Sequence, residues 1–252
     1  MVENLFESKP HRIAAAAVAI AYCAVQTFQW YAFSHMPSTS DPAQELLQGA
    51  EPLNIARAVL MLFSFFGLIY LFLVCCGTTF RRRPTLSILS LLGFFTFCVL
   101  EIQLRSVELF YIFLRLPAHY HAATDAASQA WLLRIPAVFA EVQSALYFPL
   151  GLSWLFGSVL LCFALGGRRF DWLARLAFGL NAVRLALRML DVYVVGPRFD
   201  TLYSDLYLPL VFMTFAPMAA WLLLHEPAGG QSSSRRPLQR STGHRNRDLG
   251  AL

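Results

Sequence analysis

Arg184, Arg188 and Asp191 stand in NAVRLALRMLDVYVVG, a stretch otherwise apolar enough for the interior of a membrane. At 100° per residue the three share one narrow helical face with Asn181. Glu101, Arg105 and Glu108 repeat the pattern at i, i+4, i+7, and Glu141 has Arg134 two turns before it on the same face. Gln26 and Gln29, and Asn54 with Arg57, add polar groups on two further apolar stretches. Guanidinium groups hold carboxylates and other anions through charge-assisted, often paired hydrogen bonds. The chemistry open to this set is therefore anion binding, or a clamp of internal ion pairs.

Other chemistries lack their residues. The histidines, His11, His35, His119, His121, His225 and His244, lie in loops, at helix ends or in the C-terminal tail. None is placed for a bis-histidine haem or for a Ser–His protease, although Ser153 sits in GLSWLFGS. The single lysine, Lys9, leaves no Schiff base for a retinal. Acidic clusters with glycine that would hold Mg²⁺ for headgroup transfer are missing too. His119 and His121 with Asp125 form an incomplete metal set, because zinc sites need three or four firm ligands; a solvated loop is the expected state. No cofactor and no nucleic-acid partner is expected.

The elements that must position the charges are helices in a membrane. Of 252 residues, 57% are hydrophobic and 14% charged, where soluble domains carry about 25% charged residues. Six apolar blocks are long enough to cross a bilayer: Ile13–Phe33, Ile55–Cys76, Leu86–Val107, Ala145–Leu165, Trp172–Val195 and Leu206–Leu224. The expected fold is all-α, a polytopic bundle of six transmembrane helices over residues 1–226. The first block reads as a retained helix, being too long for a cleaved signal and lacking a small-residue cleavage site. Lys9, Arg12, Arg81, Arg82, Arg83, Arg168, Arg169 and Arg175 fall on alternate connections, as do the arginines after the sixth helix. Asp41, Glu45, Glu51, Asp125, Asp200 and Asp205 fall on the others. By the positive-inside rule both termini are cytoplasmic. One lysine against nineteen arginines points to a GC-rich bacterial genome, hence to a bacterial inner membrane. The five cysteines all lie within helices and read as small packing residues.

Depth follows from the 1.5 Å rise. Counted from Trp172, Arg184 lies about 18 Å up its helix, near mid-bilayer, with Arg188 and Asp191 about 24 and 28 Å up. The polar residues of five helices thus converge on the outer half. A charge in hydrocarbon costs at least about 2.5–3.5 kcal/mol unless it faces inward and is paired. Glu101, Glu141 and Asp191 are the counter-charges at hand for Arg184, Arg188 and Arg105, so one network across the third, fourth and fifth helices is expected. Ser34–Asn54 reads as a polar outer loop. SVELFYIFLRLP and WLLRIPAVFAEVQ read as outward helical extensions, joined by the solvated turn AHYHAATDAASQA, with Pro136 and Pro149 able to kink the fourth helix. From Pro227 onward the chain is too polar for a core and is expected to be a disordered basic cytoplasmic tail. Its arginines would attract anionic lipid at about 1 kcal/mol each.

HRIAAAAVAIAY, LSLLGFFTFCVLE, LFGSVLLCFALGGRRFDWLARLAFGLNAV and WLLLHE occur in an order that resembles a bacterial family of six-helix integral membrane proteins, a domain of unknown function. The resemblance runs from Arg12 to Glu226. The family's Pro-Arg-Trp-Leu-Gly-like turn is here Arg169-Phe170-Asp171-Trp172-Leu173-Ala174. It implies the same fold and topology, and no activity.

These readings converge on a non-catalytic membrane protein that binds or transports a small anionic or amphiphilic ligand. Its pocket would be built on Arg184, Arg188, Asp191, Glu101, Arg105, Glu141 and Gln26. Two alternatives stand beside it: a regulator acting on a cytoplasmic partner through the basic tail, and an isoprenoid-type enzyme in which a carboxylic acid protonates substrate inside an aromatic cavity rich in phenylalanine.

Overall fold

The computed structural model describes residues 8–37, 39–196 and 198–224. The tail expected from Pro227 onward lies outside the described residues, as do His225 and Glu226. The protein is all-α, with no strand among the described residues. In chain order the elements are α1 (Lys9–His35), α2 (Pro42–Gly49), α3 (Pro52–Phe80) and α4 (Pro84–Val107). α4 runs on through a π-helical segment, Glu108–Arg115, into α5 (Leu116–Ala122). Then follow α6 (Ala126–Ala164), α7 (Asp171–Leu190) with a π-helical turn at Asp191–Val195, and α8 (Asp200–Leu224).

Among the described residues, five helices are long and apolar enough to cross a membrane: α1, α3, α4 with its continuation to Ala122, α6 and α8. α7 has 20 residues, but Asp171, Arg175, Arg184 and Arg188 lower its apolar character. Packing nonetheless places it with the other long helices. α1 packs on α3, α3 on α4, α4 on α6, α6 on α7, α7 on α8, and α8 returns to α1. The six long helices form a closed ring in which chain neighbours are spatial neighbours.

Local sequence explains most of the ends. Proline occupies the first turn of α1, α2, α3 and α4, where its missing N–H costs nothing. Asp125 caps α6, accepting from the Ser128 N–H at 2.7 Å. Hydrogen bonds from Ser128 hold that carboxyl below its ordinary value. Pro149 lies inside α6, and its carbonyl accepts from the Ser153 hydroxyl at 2.7 Å, which accounts for Ser153 in GLSWLFGS. The expected extensions are helical, but the expected turn AHYHAATDAASQA needs correction: residues 118–122 belong to α5 and 126–130 to α6, and only residues 123–125 interrupt the helices. The expected polar loop Ser34–Asn54 needs correction, because residues 42–49 are the helix α2. Asp41 caps it at the Ala43 N–H, and Leu46 buries against Ile112 and Leu116 of the extension.

At the arginine-rich end, Asp171 accepts from the N–H groups of Gly166 and Arg168, both at 3.1 Å, and from the Trp221 indole at 3.3 Å. Gly167 sits at φ +97, a conformation suited to glycine. Arg82 donates to the Gly166 carbonyl and Arg83 to that of Phe163, each at 2.7 Å, while Arg175 donates to Leu165. The turn between α6 and α7 is thereby tied to the turn between α3 and α4.

The ring interior is aromatic. Phe72 stacks on Phe94 with centroids 4.1 Å apart, and Phe97 on Trp154 at 4.3 Å. Tyr22 and Phe215 meet at 4.5 Å on the α1–α8 side. α4 and α6 approach most closely at Gly93 and Gly157, where the Ser90 hydroxyl donates to the Gly157 carbonyl at 2.7 Å. A Cβ on Gly93 would lie 2.8 Å from the Ser153 carbonyl oxygen and 2.9 Å from the Gly157 nitrogen. Backbone cannot yield as a side chain can. Gly93→Ala is therefore expected to cost about 1–3 kcal/mol, seen as a lower melting temperature in detergent. Gly179→Ala, whose Cβ would meet only the Cys162 sulfur at 4.0 Å, should melt close to the parent.

Candidate functional site

The polar residues of the long helices separate into two groups. The first lies between α3 and α4. Arg105 bonds Glu101 through Nε at 3.2 Å and Glu108 through Nη1 at 2.6 Å, the neighbours four residues before it and three after it on its own continuous helix. Arg57 of α3 reaches Glu108 at 3.6 Å and donates from Nε to Asn54 Oδ1 at 2.8 Å. The Arg57 guanidinium lies 4.5 Å from the Phe33 ring and 5.7 Å from that of Phe113. Two arginines face two glutamates, and all four are at most 14% exposed in their side chains. This is a neutral, enclosed clamp.

The second group surrounds a cavity of about 950 Å³ between α1, α6, α7 and α8. It lies at the end of the ring where α1 and α7 finish and α8 begins. Trp154 and Leu210 line its deep part; Ser34 and Asp200 line its rim. Trp30, Phe33, Leu150, Leu185 and Met189 make much of its wall apolar. Arg184 and Arg188 face it from α7, but in different states. Arg188 has two carboxylates, Asp191 at 3.4 Å and Asp200 of α8, and lies 4.9 Å from the Tyr203 ring. Arg184 has none among the described residues. Its Nη2 donates to Asn181 Oδ1 at 3.0 Å, and its guanidinium lies 5.0 Å from the Trp154 ring. Its Nε is enclosed and without a partner. Asn181 is held in turn by its donation to Ser158 at 2.9 Å.

One side chain touches both groups. Tyr147 lines the cavity, and its oxygen accepts from Arg105 Nη2 at 3.2 Å and from Gln143 at 2.9 Å. With both acceptor positions filled, its own proton is free to point elsewhere.

Among the residues expected to form one network, the structure brings Arg184 and Arg188 to the cavity and Asp191 behind Arg188. Asp191 is buried and also accepts from the Arg198 N–H at 3.1 Å. Glu101 and Arg105 belong to the clamp and do not line the cavity. Gln26 lies behind the wall, accepting from the Tyr207 hydroxyl at 2.6 Å and donating to the Met61 sulfur at 3.4 Å. Glu141 is exposed on α6 and joins neither group. It precedes the apolar run that begins at Ala145, on the outward side of the helix with Val138 and Val142. The expected network across three helices is thus replaced by two separate groups, because α6 stands between α4 and α7 in the ring.

Sequence reasoning passed over Tyr147, Trp154 and Tyr203, which on apolar helices look like packing. Gln29 was visible as a polar residue at the right depth, and Asp200 as a loop acid. Both π-helical segments open on an acid of these groups, Glu108 and Asp191, in keeping with the frequency of π-bulges at working sites. His119 and His121 are exposed at the end of α5, and no three His, Cys, Asp or Glu side chains converge as metal ligands among the described residues.

Comparison of the chain with family models, with curated proteins and with solved structures found no match.

The two arginines make opposite predictions about stability. Arg105→Met strands the enclosed Glu101 and leaves Glu108 to Arg57 alone; it should cost about 3–5 kcal/mol, a drop of many degrees in melting temperature in detergent. Arg184→Met strands no carboxylate and removes an enclosed unpaired N–H. It should leave the melting temperature unchanged or raise it.

Proposed function

We propose that this is a multi-pass protein of a bacterial cytoplasmic membrane that binds or transports a small anionic or amphiphilic ligand through the cavity between α1, α6, α7 and α8. In this reading α7 also crosses the membrane and brings the transmembrane helices to six, both termini are cytoplasmic and the cavity opens to the outer side. The resemblance to the bacterial six-helix family belongs to the same reading and favours the same topology. The surrounding bilayer is the protein's standing partner.

The observation that carries the proposal is the state of Arg184. A guanidinium at mid-bilayer depth without a carboxylate is expensive. A protein that needed only a clamp has one already, built on Arg105. Arg184 is therefore the cation that awaits an anion, and the apolar wall beside it suits a hydrocarbon tail. Pockets of this size bury most of a drug-sized ligand, with few polar groups fixing its orientation. The acid-catalysed alternative loses ground: Glu101 is held by Arg105, and the carboxylate lining the cavity, Asp200, is held by Arg188.

Dodecanoate is a suitable probe. Measured by equilibrium dialysis against the protein in phosphatidylcholine nanodiscs, it should bind the parent. It should lose about tenfold to a hundredfold in affinity to Arg184→Met, as befits a charge-assisted hydrogen bond. Equal affinity for both proteins sinks the assignment.

Topology is tested separately in intact cells with a cysteine-free background and a membrane-impermeant maleimide. Thr124→Cys, in the turn before α6, should label from outside, and Thr85→Cys, at the start of α4, should label only after lysis. The reverse pattern would overturn the orientation.

A further inference from the structure

Gln29 offers a second recognition point in the same cavity. Its Oε1 is enclosed and has no hydrogen-bond partner, and the side chain lines the cavity from α1. The contrast with Gln26, one turn earlier, is sharp: that amide is bonded at both ends, to Tyr207 and Met61. Buried polar atoms almost always find a partner, and one left alone costs about 1–3 kcal/mol. The unpaired atom is an acceptor, so the group that completes it is a hydrogen-bond donor.

Gln29 and Arg184 approach the cavity from different walls. α1 packs on α3 and α8, and α7 packs on α6 and α8, so the cavity separates the two side chains. One presents a cation with an unpaired N–H; the other presents a neutral carboxamide. The charge available to a ligand is also fixed. Arg188 already serves two carboxylates, Asp191 and Asp200, so among the described residues that line the cavity Arg184 alone is an uncompensated cation. A dianion would add a second charge with no cation left for it, beside Asp200 at the rim.

We infer that the ligand is a monoanionic amphiphile carrying a neutral hydrogen-bonding substituent, a hydroxyl or an amide, with Arg184 holding the anion and Gln29 the substituent. This rests on the function proposed above and names the substrate class of the same site. The head can be the carboxylate of a hydroxy acid or the phosphodiester of a hydroxyl-bearing phospholipid, because both offer one negative charge and a neutral donor.

The test measures binding of dodecanoate and of its α-, β- and ω-hydroxy derivatives to the parent, Gln29→Leu and Arg184→Met proteins in phosphatidylcholine nanodiscs. At least one hydroxy acid should bind the parent about tenfold more tightly than dodecanoate. Gln29→Leu should abolish that preference while keeping its affinity for dodecanoate, which also shows that the variant is folded. Arg184→Met should weaken all four acids together. Displacement of the preferred acid by phosphatidylglycerol doped into the nanodisc assigns the site to a membrane lipid, and resistance to displacement assigns it to a free acid; both support the inference. If dodecanoate binds in an Arg184-dependent way but no hydroxy acid is preferred, or if Gln29→Leu keeps the preference, the inference falls and the anion site stands. If none of the four acids binds, both fall.

Discussion

A guanidinium among lipid tails meets neither water nor anions, so its counter-charge has to come from the protein or from a bound ligand. Arg105 meets this constraint within one turn of its own helix, on Glu101 and Glu108, and Arg57 completes a neutral set from α3. The arrangement is economical because partners four residues before and three after are brought together by helix formation itself. No tertiary search is needed to pair them, and Arg57 has only to dock. Replacing such a clamp wholesale by apolar side chains can be neutral, whereas removing one member leaves a buried charge exposed to hydrocarbon. The α3–α4 side of the ring is thus locked in register, and the close Gly93–Gly157 crossing extends the lock to α6.

With that side fixed, the aromatic filling of the ring decides where empty space can remain. Phe72 packs on Phe94 and Phe94 on Phe178, while Phe65 packs on Phe97 and Phe97 on Trp154. Trp154 is the last of them toward the cavity and the surface on which the Arg184 guanidinium rests. A ring of six helices is wide for side chains to fill. On the α3–α4 side the clamp and phenylalanines occupy it; between α1 and α6, which are not ring neighbours, it stays open. Tyr147 spans the boundary, bonded to Arg105 on one side and facing the cavity on the other.

The helices were legible because hydrophobic blocks of bilayer length have no other common use, and a fixed rise per residue gave the spacing of the charges along each helix. Which charge meets which was not legible. Spacing along a helix places Arg184, Arg188 and Asp191 on one face, but only the order of helices around the ring decides what that face meets. Interposing α6 between α4 and α7 put Glu101 out of reach of Arg184. α2 escaped notice because eight residues with one buried leucine give too short a pattern. Gln29 and Gln26 are alike in sequence, and the difference between them lies in whether Tyr207 and Met61 happen to be in reach.

Gln29 and Arg184, each with an enclosed atom that has no partner, both line the cavity, while the polar groups of the clamp and of the Asp171 turn are bonded. A fold under selection for stability alone would have no reason to leave such groups unsatisfied beside a cavity. Local rules of polar satisfaction are most often broken where a protein works, with the cost met by regions that obey them. Here the division follows the ring. α3 and α4 carry the paired charges and the tight glycine crossing; α1 and α7 carry the unpaired donor and acceptor; α6 belongs to both. Strengthening the first half therefore permits strain in the second, and a ligand that satisfied both orphaned groups at once would relieve that strain and be held for the same reason.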